Sequence, residues 1–324
     1  MLLYEHQKTL SCNMNTPLTK VSWLQQNIND PDLILLDASP ASNKSNLTTD
    51  YAGQQIQGAR FFDLKKKFSD LNSDMPNTLP SPTDFEKAAR ELGINQSSKI
   101  VVYDKLGIYT SPRVWWMFKA MGHEQVAVLD GGLPEWVAKG FTLEPIQTNR
   151  QYAPGNFSAQ AKPELKKDMN DILENLESKT ALVLDARSSG RFCGTAPEPR
   201  AGLSSGHMPG ALSLPWTRVV VSEAERVVSE AERVVSEAER VVSEAEPQTN
   251  GGRGSGKMRP VVELKKIFGE LNVGDRPLIF SCGSGLTACI VLLAAELAVE
   301  NEVAVYDGSW TEWATRQAEL VEKD

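Results

Sequence analysis

The sequence has little of several things. Four cysteines occur in 324 residues (Cys12, Cys193, Cys282 and Cys289). That is too few for a disulfide scaffold, and it fits a reducing compartment in which a lone thiol can serve as a reagent. Histidine is scarcer, with only His6, His123 and His207. Excess positive charge is missing: 34 Lys+Arg against 42 Asp+Glu leave a net charge of −8, the wrong sign for holding nucleic acid by its phosphates. No apolar run reaches the roughly 18 residues of a membrane span; the longest, near 288–295, ends at Glu296. The opening MLLYEHQKTLSC is polar and charged where a signal peptide needs an apolar core. The chain is therefore expected in the cytoplasm, without a membrane or nucleic-acid partner, and residues 1–15 are expected to be a disordered extension. What is present is ordinary for a folded chain, with 41% hydrophobic and 23% charged residues. The length suggests two domains at about 150 residues each.

Those two domains show as an internal repeat. In the first half a buried-strand pattern at 33–37 (LILLD) is followed by Gly58-Ala59, a second strand pattern at 100–104 (IVVYD), a helical stretch with Trp115, Trp116 and Phe118, then 126–129, Asp130-Gly131 and Glu135-Trp136. The second half runs in the same order: 181–185 (ALVLD), Gly210-Ala211, 278–281 (LIFS), an apolar helical stretch over 288–299, then 303–306, Asp307-Gly308 and Glu312-Trp313. The step from strand end to Asp-Gly turn is 26 residues (104 to 130) in one half and 25 (282 to 307) in the other. Apolar strands alternating with helices predict an α/β chain in which each half is a parallel sheet flanked by helices. The expected bounds are 16–145 and 164–324, joined by a linker at 146–163. The halves differ where 67 residues separate Asp37 from Asp104 but 97 separate Asp185 from Cys282. Much of the excess is a seven-residue repeat, VVSEAER, in tandem over 220–246, read as an expansion lodged in a tolerant surface loop. The GGRGSGK stretch at 251–257 neither follows a strand nor carries a full phosphate-loop motif.

The chemistry is expected at 282–287 (CGSGLT), where a cysteine follows a buried strand and precedes a helix. Ligand sites of parallel sheets lie at the carboxyl ends of strands. Glycines let successive amides turn toward one centre, and a helix N-terminus adds partial positive charge. Such a loop suits a thiolate or an anion bonded to it. A cysteine phosphatase would need an arginine six residues after the cysteine, where this chain has Ala288. A cysteine protease would need a histidine base, and His123 and His207 read as surface turn residues. What remains is a thiolate that accepts a sulfur atom. Cys289 reads as a core residue of the helix and Cys193 as incidental.

The chain resembles the two-domain rhodanese-like sulfurtransferases over almost its whole length. The resemblance rests on 51–63, 109–116 (YTSPRVWW), 130–136 (DGGLPEW), 184–194 (LDARSSGRFCG), 198–202 (EPRAG), 206–211 (GHMPGA) and 282–287. The Cys-Gly-Ser-Gly form is similar to the 3-mercaptopyruvate branch, whereas the thiosulfate branch usually has two basic residues after the cysteine. The resemblance implies two tandem rhodanese-like domains, an inactive N-terminal copy with Asp104 in the place of Cys282, and a Cys282 persulfide formed as pyruvate leaves. It implies Arg191 and Arg200 as substrate-binding arginines, and Ser284 as donor to the substrate carbonyl or proton relay. Gly283, Gly285, Leu286 and Thr287 would contact substrate through the loop, with Tyr109 lining a cleft between the domains and Arg187 structural. The implied partners are a small-molecule sulfur donor and a thiophilic acceptor such as cyanide, a thiol or thioredoxin; no metal or organic cofactor is implied. A thiosulfate donor and a non-turnover persulfide carrier are the alternatives. The family often has a histidine that assists Ser284 in a His-Ile-Pro-Gly-Ala segment, which here reads Gln55-Ile56-Gln57-Gly58-Ala59.

Overall fold

Two five-stranded sheets, parallel throughout and alike in strand order, form the frame of the molecule. The computed structural model describes residues 16–324 apart from Lys44, Asn149, 222–224 and 226–255. The expected extension at 1–15, with Cys12 and His6, and nearly all of the VVSEAER array therefore lie outside the described residues.

The first sheet runs Leu18–Thr19, Val126–Leu129, Lys99–Tyr103, Leu33–Asp37, Arg60–Phe61. Read from the equivalent edge, the second runs Lys166–Lys167, Val303–Tyr306, Leu278–Ser281, Leu182–Asp185, Leu212–Ser213. The central strands are buried on both faces because their side chains are apolar on both faces: Val126–Leu129 and Leu278–Ser281 are buried at every residue. Register carries the repeat to single residues. Asp37 pairs with Tyr103 at the end of one central pair, and Asp185 with Ser281 at the end of the other.

Helices with one apolar stripe cover the outside. Pro82–Glu91 begins with a Ser81 cap whose hydroxyl accepts the Asp84 amide, and Met169–Ser178 begins with an Asp168/Asp171 capping box. Two helices differ because they are apolar nearly all round. Ser111–Ala120 and Ala288–Ala298 each follow the central strand of their own sheet, and they pack against one another. One hydrophobic core therefore runs from Ile34 and Val102 of the first half to Leu184 and Phe280 of the second. After Leu143–Pro145 pairs antiparallel with Gln54–Ile56, the chain runs without helix or strand to Pro163, among the described residues. It lies against the first half: Phe157 is fully buried, and a Cβ on Gly155 would stand 1.9 Å from the Ile94 carbonyl oxygen, so only glycine fits there.

Candidate active site

A cleft of about 360 Å³ opens between the loop that follows Leu278–Ser281 and residues of the first half. Its walls bring together Cys282, Gly283, Ser284, Leu286 and Thr287 from the cysteine loop, Arg187, Arg191 and Arg200 from the second half, and Tyr109, Thr110 and Asn77 from the first. Of the residues singled out in the sequence, Tyr109, Arg191, Arg200, Cys282, Gly283, Ser284, Leu286 and Thr287 meet here from positions up to 178 apart (109 to 287), whereas Gly285 does not line the cleft.

The cysteine loop is held by its carbonyls. The Cys282 carbonyl accepts the Trp310 amide (2.8 Å), and the Gly283 carbonyl accepts the Thr311 amide (3.2 Å) and the Thr311 hydroxyl (2.5 Å). The Ser284 carbonyl accepts Asn77 Nδ2 (3.0 Å), while the Gly285 carbonyl accepts Arg113 Nη1 (3.4 Å) and the Cys289 thiol (3.3 Å). The Leu286 and Thr287 carbonyls accept the Cys289 and Ile290 amides (both 3.1 Å). In a trans peptide the next N–H points opposite the carbonyl. Anchoring these carbonyls therefore turns the following amides the other way. Among the described residues, the amides of 283–287 donate to no protein acceptor. Beside a nearly buried Cys282, at the start of a buried helix, that is an arrangement able to receive an anion.

The arginines stand over this loop in different states. A Cβ on Gly283 would lie 2.9 Å from Arg191 Nη2 and 3.5 Å from Arg200 Nη1, so both guanidinium groups sit beside residue 283, and a larger side chain there would displace Arg191. Arg191 is already gripped by Glu198 through Nε (3.0 Å) and Nη2 (2.6 Å). Glu198 also holds Arg187, which pairs with Asp185, donates to the Gly206 carbonyl and lies 3.9 Å from the centroid of the Trp310 ring. These two arginines and two carboxylates balance in charge. Arg200 makes no ion pair among the described residues and brings an uncompensated positive charge to the cleft. Tyr109 places its hydroxyl 3.0 Å from Ser45 Oγ and its ring edge-on to Trp216. Burial pushes its phenol up, so it stays protonated.

Some expectations need correction. His123 and His207 are not surface turn residues. His123 is buried against Phe118 and Phe157, with Nε2 2.9 Å from the Ser98 carbonyl. His207 is stacked on Phe192, with Nδ1 3.1 Å from the Phe192 carbonyl. Both rings are buried against aromatic side chains, and neither lines the cleft. Gln55, where the family often has a histidine, does not line the cleft; its amide donates to the Ala59 carbonyl and to Glu144 at the short antiparallel pair. The residue that reaches Ser284 is Asn77, with Nδ2 3.1 Å from Ser284 Oγ. Sequence reasoning missed it, because Asn77 lies in a turn-rich stretch without strand or helix periodicity. It also missed Arg113, which is fully buried and bonded to Asp307 Oδ1 at 2.6 Å and to the Asn77 carbonyl at 2.7 Å. Cys193 is half-buried and stands outside the cleft. Cys289 is a core residue, and burial pushes its thiol up to about 12 against the pull of Arg113.

The rhodanese-like domain family matches residues 20–139 and again 168–316. The chain belongs to the rhodanese-like sulfurtransferase family. It is 37% identical to the 3-mercaptopyruvate sulfurtransferase of Escherichia coli (strain K12) over 91% of this chain and 93% of that one. It is equally similar to the Mus musculus 3-mercaptopyruvate sulfurtransferase (37%, 92% of each) and 35% identical to the Rattus norvegicus thiosulfate sulfurtransferase (92% of each). The crystal structure of SseA from Escherichia coli, described as a 3-mercaptopyruvate sulfotransferase, superposes with a TM-score of 0.71 at 34% identity, covering 91% of this chain and 99% of that one. Among the described residues of this sulfurtransferase, no helix is long and apolar enough to cross a membrane, and no cluster of three His, Cys, Asp or Glu could hold a metal.

Proposed function

We propose that this sulfurtransferase takes sulfur from 3-mercaptopyruvate through Cys282. Arg200 and the remaining face of Arg191 receive the carboxylate, since a guanidinium matches a carboxylate with parallel hydrogen bonds. The Cys282 thiolate attacks the substrate sulfur. An S–S bond forms and the C–S bond breaks, its electron pair leaving on carbon as the enolate of pyruvate. A proton delivered to that enolate, with the Ser284 hydroxyl as donor or relay, gives pyruvate. The outer sulfur stays on Cys282 as a persulfide beside the amides of 283–287, until a thiophilic acceptor such as a thiol takes it and restores the thiolate. The first half supplies cleft wall but no nucleophile, because Asp104 stands where the second half has Cys282.

The observation that carries this reading is the pair of arginines beside Gly283. Both guanidinium groups stand beside the residue that follows the cysteine, Arg200 bringing the uncompensated charge, while the loop itself carries no cation. Steady-state pyruvate release tests it, with thiosulfate as competing donor and Cys282→Ser as control. Multiple turnovers that favour 3-mercaptopyruvate and vanish in Cys282→Ser are expected. Arg200→Ala should raise KM roughly 10- to 100-fold, in line with the loss of one charged hydrogen-bonding partner at about 1.5–3 kcal/mol. A preference for thiosulfate would overturn the donor assignment, and one equivalent of pyruvate without turnover would make the protein a persulfide carrier.

A further inference from the structure

We infer that Asn77, from the first half, is a positioning residue that aims the Ser284 hydroxyl proton at the reacting atoms, and that it does so without titrating. The inference rests on the proposed role of Ser284.

The direction of the Asn77 amide is fixed by its neighbour. A carbonyl oxygen can only accept, so the NH2 end must be the end that faces the Ser284 carbonyl, 3.0 Å away. The same nitrogen lies 3.1 Å from Ser284 Oγ. Its two hydrogens therefore serve the Ser284 carbonyl and the Ser284 hydroxyl oxygen. With that oxygen accepting from Asn77, the serine's own proton has to be given elsewhere, and Ser284 lines the cleft beside Cys282. Had the residue facing Ser284 been an acceptor, the hydroxyl would have turned its proton away from the cleft.

Asn77 is itself held in place. It is 6% exposed and sits at φ 61°, a left-handed conformation that asparagine adopts more readily than most residues. Arg113 Nη2 donates to its carbonyl at 2.7 Å and to Asp307 Oδ1 at 2.6 Å. Asp307 Oδ2 in turn accepts the amide of Leu79, two residues beyond Asn77. A buried ion pair thus straps the 77–79 segment of one half onto the other, at the loop that carries the cysteine. Arg113 and Asp307 anchor the strap, and Asn77 is where it meets the reaction.

The test is a double-mutant cycle on the full chain, read as pyruvate release from 3-mercaptopyruvate over a pH range. Asn77→Ala should lower kcat roughly 10- to 100-fold, with KM little changed. The double variant Asn77→Ala/Ser284→Ala should be no slower than Ser284→Ala alone, because Asn77 acts through that hydroxyl. Asn77→Asp keeps the shape but presents an acceptor. Its kcat should be low at neutral pH and recover as the pH falls and the new carboxyl protonates, a step the parent protein lacks. Additive losses in the double variant, an Asn77→Asp profile parallel to the parent, or an Asn77→Ala effect confined to KM would each overturn the inference. An unimpaired Ser284→Ala would overturn it together with the role of Ser284. The Asn77 side-chain amide signals in NMR should shift on Ser284→Ala whatever the donor is, which separates failure of this contact from failure of the assigned substrate.

Discussion

Asp104 and Cys282 end equivalent strands, and each is followed by a short loop and a buried helix, yet their loops are satisfied in opposite ways. In the first half the loop closes on its own strand-ending residue. Asp104 Oδ2 accepts the amides of Tyr109, Thr110 and Ser111 at 2.9–3.0 Å and the Ser111 hydroxyl at 2.7 Å, while Oδ1 accepts the Leu106 amide at 3.0 Å. In the second half the corresponding amides, 283–287, have no protein acceptor among the described residues, and the residue at the strand end is a thiol. One loop shows such a ring of amides gathered on a carboxyl group, and the other presents its amides to the cleft side of Cys282 with no protein acceptor among the described residues. The repeated fold supplies the same cradle twice, and a single side chain decides whether the loop closes on itself or stays open.

The sharpest way to break the comparison is to write the first loop into the second. Cys282→Asp should abolish turnover, with a loss of at least about 1000-fold as expected for removal of a nucleophile. It should also melt above Cys282→Ala, because the new carboxylate can collect the free amides of 283–287. A lower melting temperature than Cys282→Ala would mean that the two loops do not bind anions alike.

The reverse change is expected to cost less activity but more stability. Asp104→Ala leaves four buried amides and a hydroxyl without an acceptor, a loss of about 3–5 kcal/mol for a broken buried charged network, visible as a shifted urea midpoint. Activity should fall as well, because Tyr109 and Thr110 carry two of those amides and line the cleft. An unchanged urea midpoint would show that the first loop does not need its carboxylate.

The comparison also marks how far the sequence could be read. The repeat, the parallel sheets and the meeting of Cys282, Ser284, Arg191 and Arg200 were legible, because strand periodicity and motif order are local properties. The hold of one half on the other was not. Asn77 meets Ser284 across 207 positions and Arg113 meets Asp307 across 194; Arg113 and Asp307 lie in recognisable motifs, but no local pattern says that they pair. The Gln55 segment, where the family often has a histidine, gives no local sign that its glutamine amide pairs with Glu144, 89 positions away. The arginines were readable as residues but not in their states, since only the fold shows Glu198 occupying Arg191 while Arg200 makes no ion pair among the described residues.

The smallest expected effect separates Cys289 from Cys282 in the second half. Cys289 is fully buried, and its thiol is pushed up to about 12, mainly by burial, whereas an unfolded chain titrates cysteine near about 8.5. The raised folded value sets the sign: the contribution is fully present below about 8.5 and is lost as pH rises toward 12, because the unfolded state gives up its proton first. Between pH 8 and 10 this amounts to about 1–2 kcal/mol. Urea unfolding of the parent protein should weaken by that much over the interval, and Cys289→Ala should flatten that part of the slope even though its smaller side chain lowers stability at every pH. If both proteins lose stability in parallel, the alkaline slope belongs to other buried groups, such as Tyr306, whose phenol burial also pushes up. Cys289 would then be a packing residue without electrostatic consequence, and the contrast between a reactive thiol and an inert one would rest on access to the cleft alone.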